Sequence, residues 1–329
     1  MGKLLKGLAA AFCAAIMAAG TAQAEDPIKL RVAYDGFTMT GAPLQYIQKH
    51  GIFQKNGLEV ELLFVDGGSV LTQSLVGGSV DIAQNGYAPV VNAAVAGADL
   101  VIIGGMANVL PMMLVTDGAI TKPEDLRGKS VAISRYGSST DVAARLALEH
   151  LGLTTRDVNI LQLGNEGTRL AAYKSGQVQG LMVQLPGAQD LIDQGATMMA
   201  DVGTIAQGYP NTAFATTRRY LAENPEAVRR FYKAMAEGLR AFAADPEGAT
   251  EVTAEFLKVE PGGNLPMAVD YFSKHVYQMD LRPTVPGVAE VLKELAASVP
   301  AAASVDPASL VDTTILDGLE AEGVFAGLK

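Results

Sequence analysis

The chain has 329 residues, 49% of them apolar, and a formal net charge of −10 at pH 7. A surface this acidic disfavours nucleic acids and anionic lipid headgroups as partners, although a local site can still attract a small anion. The only cysteine is Cys13, so the rest of the chain has no disulfide bond, thiolate nucleophile or cysteine metal ligand.

Residues 1–24 have the pattern of a secretory signal peptide. Lys3 and Lys6 form a basic start, the run Leu4–Ala19 is almost wholly apolar, and Ala22-Gln23-Ala24 is an A-x-A cleavage signal. The apolar run is shorter than the roughly 20 residues that a transmembrane helix needs. We therefore expect cleavage after Ala24 and a protein located in the periplasm.

Beyond this leader, short apolar strands alternate with helices. The predicted strands are Leu30–Tyr34, Leu58–Val65, Val80–Ala83 and Leu100–Ile103, and the helices begin near Pro43, Ser69 and Pro89. Proline is tolerated at the first helical position because its missing N–H has no partner there. Alternation of this kind with short turns predicts an α/β unit with a mostly parallel sheet.

A second unit of the same kind follows, and then the pattern changes. Its predicted strands are Ser130–Ile133, Val158–Leu163, Val178–Val183 and a strand near Met198, and its helices are Thr140–His150 and Thr168–Ser175. A further strand, Phe214–Thr217, precedes long amphipathic helices at Pro225–Ala244, Pro246–Leu257, Val285–Ala297 and near Leu310–Leu319. The order predicts two α/β units, a return of the chain to the first, and a helical tail.

Polar loops follow several of these strands. They are Thr38–Ala42, Gly67–Ser69, Asn85–Tyr87, Arg135–Thr140 and Gln184–Pro186. In open α/β sheets, ligands bind beyond the carboxyl ends of strands, where the chain enters the next helix. Unpaired N–H groups and the helix dipole make such helix N-termini suited to anions.

Each loop also has a plainer interpretation. Gly67–Ser69 can be only a turn with a helix cap, and Arg135 can be a solvated surface arginine. Tyr136 beside it favours a site, since tyrosine combines an aromatic face with a polar tip. Glu166 and Arg169, in the next loop and first helical turn, favour a local helix pair over ligand contacts.

Short motifs in a fixed order make the chain resemble a known family. They are Ala42-Pro43-Leu44, Gly51-Ile52-Phe53, Gly57–Val60, Leu75–Ala83, Gly97–Leu100, Asp125–Ala132, Leu148–Leu153, Ser175–Val178 and Asn224–Val228. In this order they resemble the ABC-importer solute-binding proteins of the sulfonate, nitrate, taurine and thiamine-pyrimidine group. These are type II periplasmic binding proteins. The resemblance runs from about Leu30 to Leu257.

The resemblance implies a two-lobed α/β fold with two mostly parallel sheets, flanking helices and a helical C-terminal tail. Lobe one would comprise residues 25–112 and 211–285, and lobe two residues 113–210. Residues 286–329 would pack back on lobe one. The ligand would lie in the cleft between the lobes, and the crossovers near Pro111–Thr116 and Gly208–Ala213 would act as the hinge.

Candidate ligand contacts come from two sources. The anion contacts that the resemblance implies are Thr40, Gly41, Ser69, Asn85, Ser138, Ser139 and Thr140. The chemistry of the loops adds Tyr87, Arg135, Tyr136 and Gln184. Because the chain has no tryptophan, aromatic contacts must come from Tyr or Phe, with Tyr34, Tyr87, Tyr136 and Tyr209 as candidates.

The resulting hypothesis is a monomeric periplasmic receptor that binds a small anionic organic molecule. It would deliver this ligand to the permease and ATPase subunits of an ABC importer. Arg135 and the helix N-termini favour the anion. Sulfonates, nitrate-like anions, aromatic carboxylates and pyrimidines all stay open as ligand classes.

Two other functions share this fold. A ligand-binding sensor subunit would serve a membrane signalling partner instead of a permease. An enzyme similar to the thiamine-pyrimidine synthases is disfavoured, because their iron chemistry depends on cysteine and histidine. This chain has only His50, His150 and His275 and no cysteine beyond the leader. These scattered histidines also lack metal-ligand spacing, so we expect no catalytic residues, metal or cofactor.

Overall fold

The computed structural model describes residues 26–327, which form two five-stranded sheets with helices packed around them. The predicted signal peptide and its cleavage site lie outside the described residues. We call the body built on the first sheet the first lobe and the body built on the second sheet the second lobe. This two-lobed α/β arrangement is the fold that the sequence predicts.

The strands are β1 Ile28–Tyr34, β2 Leu58–Phe64, β3 Ile82–Gly86, β4 Leu100–Ala107, β5 Met113–Thr116, β6 Ser130–Ile133, β7 Asn159–Gln162, β8 Gly180–Val183, β9 Thr197–Asp201 and β10 Thr212–Thr217. The helices are α1 Ala42–Lys49, α2 Ile52–Lys55, α3 Gly68–Val76, α4 Tyr87–Val95, α5 Ser139–His150, α6 Glu166–Lys174, α7 Gly187–Asp193, α8 Val202–Ile205, α9 Arg218–Glu223, α10 Pro225–Ala244, α11 Pro246–Leu257, α12 Leu265–His275, α13 Val285–Ala296 and α14 Thr314–Ala321.

Each sheet contains one reversed strand. The first sheet has the order β2-β1-β3-β10-β4 and the second the order β7-β6-β8-β5-β9. β10 pairs antiparallel with both β3 and β4, and β5 pairs antiparallel with both β8 and β9. The remaining four pairs are parallel, so both sheets are mixed: four of the five strands in each run in the same direction, while half of the strand pairs are antiparallel. β3 and β4 are buried along their whole length, as expected for strands covered on both faces.

The two predicted hinge segments are shorter than the sequence indicated. Met113–Thr116 form strand β5, and Thr212 and Ala213 already belong to β10. The crossover prediction is therefore wrong for these residues. A strand of four residues between irregular segments gives too little periodicity to be recognised from sequence alone. The chain crosses between the lobes through residues 108–112 and again through residues 206–211.

Helix α12 also escaped the sequence analysis. Pro266 at its second position follows two glycines, which favours a loop in a pattern-based interpretation. The helix nevertheless buries Leu265, Ala268, Val269 and Phe272, the spacing of one helical face. It therefore belongs to the core and not to a linker.

The C-terminal residues pack against the first lobe. Val311 forms an isolated bridge with Ile102 of β4, and the amide of Asp312 donates to the Ile102 carbonyl at 2.9 Å. Glu322 accepts a hydrogen bond from Arg229 of α10 at 2.6 Å. No helix among residues 26–327 is both long enough and apolar enough to span a bilayer.

Helix α10 crosses α1 at a glycine, and this contact leaves no room for a side chain. A Cβ atom on Gly238 would overlap Ile47, which is fully buried. Glycine in a helix interior costs about 1 kcal/mol relative to alanine. The close approach of the two helices is the structural reason for glycine here.

We expect Gly238→Ala to lower the free energy of unfolding by about 1–3 kcal/mol, because the added methyl group overpacks the contact with Ile47. Gly318 lies in α14 with no neighbouring atom within 4 Å of its added Cβ, so Gly318→Ala should stabilise the protein slightly. Urea denaturation of both variants measures this. Equal effects of the two substitutions would contradict the packing argument.

Candidate ligand-binding cleft

A cavity lies between the two lobes, where the carboxyl ends of the parallel strands face each other. The space that the centre of a water-sized sphere can occupy is only about 50 Å³, so the cavity is narrow and suits a small ligand. The first lobe and the crossovers contribute Asp35, Gly36, Thr38, Thr40, Gly86, Met112, Asn211 and Thr212. The second lobe contributes Ser134, Ser138, Ser139, Thr140, Asn165, Glu166, Arg169 and Gln184.

On the first lobe, Asp35 follows directly after β1 and is one of the residues that line the cavity. Burial raises the pKa of this carboxyl to about 6, against the opposing effects of its own N–H, the Gly86 N–H and Arg169. Among residues 26–327, no lysine, arginine or histidine forms a salt bridge with Asp35. The cavity wall therefore contains a carboxyl group that is costly to ionise and has no cation in salt-bridge contact, although Arg169 favours its ionised form from a longer distance.

On the second lobe, hydroxyl groups cluster where β6 leads into α5. The Ser134 and Ser138 hydroxyls lie 2.9 Å apart, and each is within 2.9 Å of the Thr140 hydroxyl. The Ser134 N–H donates to the Thr140 hydroxyl at 2.8 Å. Ser138 is the N-cap residue, but no side chain caps the first turn of α5. The positive end of the helix dipole therefore meets the cavity beside a set of adaptable hydroxyl donors.

Arg169 is the positive charge of the cavity wall, and it is only 3% exposed. Its Nε donates to the Met182 carbonyl at 3.2 Å, and its Nη1 donates to the Gly164 carbonyl at 2.5 Å. Its Nη2 lies 3.6 Å from Oε2 of Glu166. Every nitrogen of the guanidinium group thus has a partner within the second lobe.

Glu166 supports both Arg169 and the loop opposite. Its Oε2 accepts a hydrogen bond from the Gln184 amide at 3.2 Å. Burial raises the pKa of Glu166 to about 7, although Arg169 and the Gln184 amide oppose the shift. The pKa of Arg169 is lowered by burial, with Glu166 opposing this effect. The pair lies in a helical turn, as the sequence analysis expected, and also lines the cavity.

Gln184 is 3% exposed, yet its side-chain Oε1 has no hydrogen-bond partner among the described residues. A buried amide oxygen without a donor costs about 1–3 kcal/mol. Since Gln184 lines the cavity, a bound ligand or ordered water is the available source of that donor.

The structure places the predicted site residues in three groups. Thr40, Ser138, Ser139, Thr140 and Gln184 line the cavity. The remaining six do not.

Three of those six lie inside the first lobe. A Cβ on Gly41 would meet the Phe256 ring at 2.9 Å, which explains the glycine by packing. The Asn85 amide donates to the Gly68 carbonyl at 2.9 Å and to the Thr72 hydroxyl at 2.8 Å. Tyr87 is fully buried. These side chains shape the loops that carry the site, and none is in contact with the cavity.

The other three form a contact between the lobes at the cleft rim. The Ser69 hydroxyl donates to the Tyr136 carbonyl at 2.9 Å. Nη2 of Arg135 lies 3.3 Å from Oδ2 of Asp66. The Tyr136 ring is 55% exposed. The structure therefore places Ser69, Arg135 and Tyr136 where the lobes touch, outside the cavity lining.

Several lining residues were not among the sequence-based candidates. Asp35 could have been found, since it is the first residue after a predicted strand. Glu166 and Arg169 also follow a strand, but their spacing of three residues equally fits a helix-surface ion pair. Asn211 lies in a crossover, where neither periodicity nor a motif indicates a ligand contact.

Within residues 26–327, no cluster of three or more His, Cys, Asp and Glu side chains has the geometry to hold a metal ion. We assign no metal or cofactor to the cleft.

Comparison with known proteins gives a family match. The family model described as "NMT1/THI5 like" matches residues 40–249, more than half of the chain. A putative binding protein of Brucella abortus (strain 2308) is 27% identical over 241 residues, which cover 71% of this chain and 73% of that protein. The taurine-binding periplasmic protein of Escherichia coli (strain K12) is 27% identical over 226 residues, covering 67% and 68%.

The fold also matches a solved structure. The alkanesulfonate-binding protein SsuA from Xanthomonas axonopodis pv. citri, bound to MOPS, is 21% identical with a TM-score of 0.72. The match covers 88% of this chain and 99% of that chain. This likeness confirms the predicted periplasmic-binding-protein fold.

The buried carboxyl groups predict how stability depends on pH. Glu166 has a pKa of about 7 when folded, against the ordinary value of 4.5, so the folded state holds its proton more tightly. We expect the free energy of unfolding of the ligand-free protein to fall as pH rises between these two values. Glu166→Gln should remove about 1–3 kcal/mol of that decrease. Urea denaturation at pH 5, 6, 7 and 8 measures it.

Glu61→Gln is the matched control, because Glu61 is an exposed residue of β2 and its loss should leave the pH dependence unchanged. Parallel stability curves for the wild type and Glu166→Gln would contradict the assignment.

Proposed function

The chain belongs to the NMT1/THI5-like family, and from this premise we propose that it is the solute-binding receptor of an ABC importer. It captures a small organic molecule that carries an anionic group and delivers it to the permease and ATPase subunits. The observation that carries the proposal is the polar cavity between the lobes, because both lobes supply its walls. The relatives compared above are named as binding proteins, and we assign no catalytic step to this chain.

The anionic group of the ligand binds at the N-terminus of α5. Ser138, Ser139 and Thr140 lie there and line the cavity, and no side chain caps the first helical turn. Backbone N–H groups and the helix dipole favour an anion at this position. Thr40 faces the same cavity from the first lobe. Among the eleven candidate contacts from the sequence, these residues and Gln184 are the ones we retain as ligand contacts.

Ligand binding and lobe closure are coupled. A ligand that touches both walls binds the closed form better than the open form, and this difference in affinity drives closure. In this division of the chain, lobe one comprises residues 25–112 and 211–285, and lobe two comprises residues 113–210. Residues 286–329 form a tail that belongs to lobe one. The hinge lies in residues 108–112 and 206–211. The closed monomer is the form that the permease recognises.

Contacts across the cleft hold the closed form. Besides the rim contacts of Ser69 and Arg135, Nη2 of Arg145 lies 2.9 Å from Oε1 of Glu294. The Asn264 amide donates to Asp190 at 2.9 Å and to Asp193 at 2.8 Å. These polar contacts are largely solvent-exposed, and exposed ion pairs contribute only about 0–1 kcal/mol each. Closure therefore depends on the ligand as well as on the rim.

Periplasmic location follows from the leader. We expect intact-mass analysis of periplasmic extract to show a chain that starts at Glu25, because the A-x-A signal ends at Ala24. A species that retains residues 1–24, or one with a lipid adduct, would contradict this prediction.

Gly86 and Ser139 give a test of closure. Gly86 lies at the end of β3 and Ser139 at the start of α5, and a Cβ on Gly86 would overlap the Ser139 hydroxyl. Gly86 has φ −61° and ψ 143°, which alanine adopts readily. We therefore expect Gly86→Ala to weaken ligand binding about tenfold, the size of a typical overpacking cost of 1–3 kcal/mol, without unfolding the protein.

The measurement is a thermal-shift screen over sulfonates and carboxylates, then calorimetry and small-angle scattering with the best ligand. Wild type should show a smaller radius of gyration when loaded, and Gly86→Ala a smaller change. The double variant Gly86→Ala/Ser139→Ala removes the overlapping hydroxyl and should recover closure. Superimposable free and loaded scattering curves for the wild type would contradict the closure model.

A further inference from the structure

The charges that face the cavity do not balance. Asp35 and Glu166 are acidic, and Arg169 is the basic residue among the cavity-lining side chains within residues 26–327. Arg169 lies 3.6 Å from Glu166 and donates to two backbone carbonyls, so its charge already has a carboxylate partner within the second lobe. Asp35 has no salt bridge within the described chain. The site as folded thus leaves one carboxyl group without a cation in direct contact, with Arg169 acting on it only from a longer distance.

The cavity also contains a hydrogen-bond acceptor that has no donor. Oε1 of Gln184 is buried and has no donor within residues 26–327. A carboxylate and an amide oxygen are both acceptors, and both require N–H or O–H groups from whatever fills the cavity. An anion alone would leave Gln184 Oε1 without a donor and would repel Asp35.

We propose that the ligand carries, in addition to its anionic group, a cationic nitrogen group such as an ammonium or amidinium that binds Asp35, with Gln184 Oε1 as a second acceptor. This inference rests on the proposed receptor function and names the ligand class of the same site. The anionic group lies at the N-terminus of α5, and the cationic group lies at the end of β1. Opposite ends of one small molecule thereby join the two lobes.

The proposal also predicts how ligand affinity depends on the ionisation of Asp35. The charged groups that face Asp35 are Arg169 and Glu166 from α6 and Asp66 from the loop after β2. Burial raises the pKa of Asp35 to about 6, and a bound cation favours the ionised form. Affinity for a cation-bearing ligand should therefore fall as pH decreases through about 6. Affinity for a ligand that has only the anionic group should rise, because protonation of Asp35 removes a repulsive charge.

Matched probe pairs test the proposal on the full mature chain by calorimetry at pH 7.5 and pH 5.5. Each pair differs only in its cationic nitrogen: taurine and isethionate, 4-aminobutyrate and 4-hydroxybutyrate, 4-amidinobenzoate and 4-carbamoylbenzoate. We expect at least one cationic member to bind about ten- to a hundredfold more tightly than its neutral partner, the range for charge-assisted hydrogen bonds. That preference should weaken at pH 5.5.

Asp35→Asn keeps the shape of the side chain and removes the charge, so it should abolish the preference for the cationic member. Glu61→Gln removes an exposed carboxylate of the same lobe and should keep the preference. Neutral partners that bind as tightly as the cationic members would overturn the proposal and leave the receptor function intact. The same holds for a preference that survives Asp35→Asn. Failure of every member of every pair to bind or to close the lobes would overturn the receptor function and this inference with it.

Discussion

Charged side chains are buried where the edges of the two sheets meet, and their need for partners limits which ligands the cleft can bind. Transfer of an ion from water into a protein costs several kcal/mol unless a partner compensates it. Arg169 meets this condition through Glu166 and the carbonyls of Gly164 and Met182. Asp35 meets it less well, since its own N–H, the Gly86 N–H and the charge of Arg169 leave its pKa raised to about 6. The hydroxyl cluster and the helix end opposite stay available for a ligand, so recognition depends on what Asp35 and that helix end require.

Both crossovers between the lobes contribute to the cavity wall. Met112 and Asn211 lie in the two crossovers and also line the cavity. The Asn211 N–H donates to the Ala107 carbonyl, and its carbonyl accepts from Tyr87, each at 2.9 Å. Each crossover leads directly into a reversed strand, β5 or β10. A ligand in the cavity therefore lies against both segments that connect the lobes.

The parts of the molecule that give stability are separate from those that bind. Helices α10, α11 and α12 bury aromatic and aliphatic side chains on the first lobe, among them Phe231, Phe242 and Phe272. The rim pair Arg135–Asp66 has side chains that are 38% and 36% exposed, and such pairs contribute little to stability. This division separates the core of the first lobe from the cleft. It also explains why Gly41 and Asn85 lie in the site loops without contact to the cavity: they pack the loops against the first lobe.

The sequence by itself determined the alternation of strands and helices, the family and the loops that carry the site, because hydrophobic periodicity and helix start signals are local properties. It also predicted Ser138, Ser139, Thr140, Thr40 and Gln184 as ligand contacts because they follow strands or open a helix, and these five residues line the cavity. Only the tertiary structure placed Arg135 against Asp66 and Arg169 in the cavity wall. Both arginines stand near strand ends, and which one faces the cleft depends on how the lobes meet. The strand β5 and the unpaired state of Asp35 are likewise decided by contacts distant in sequence.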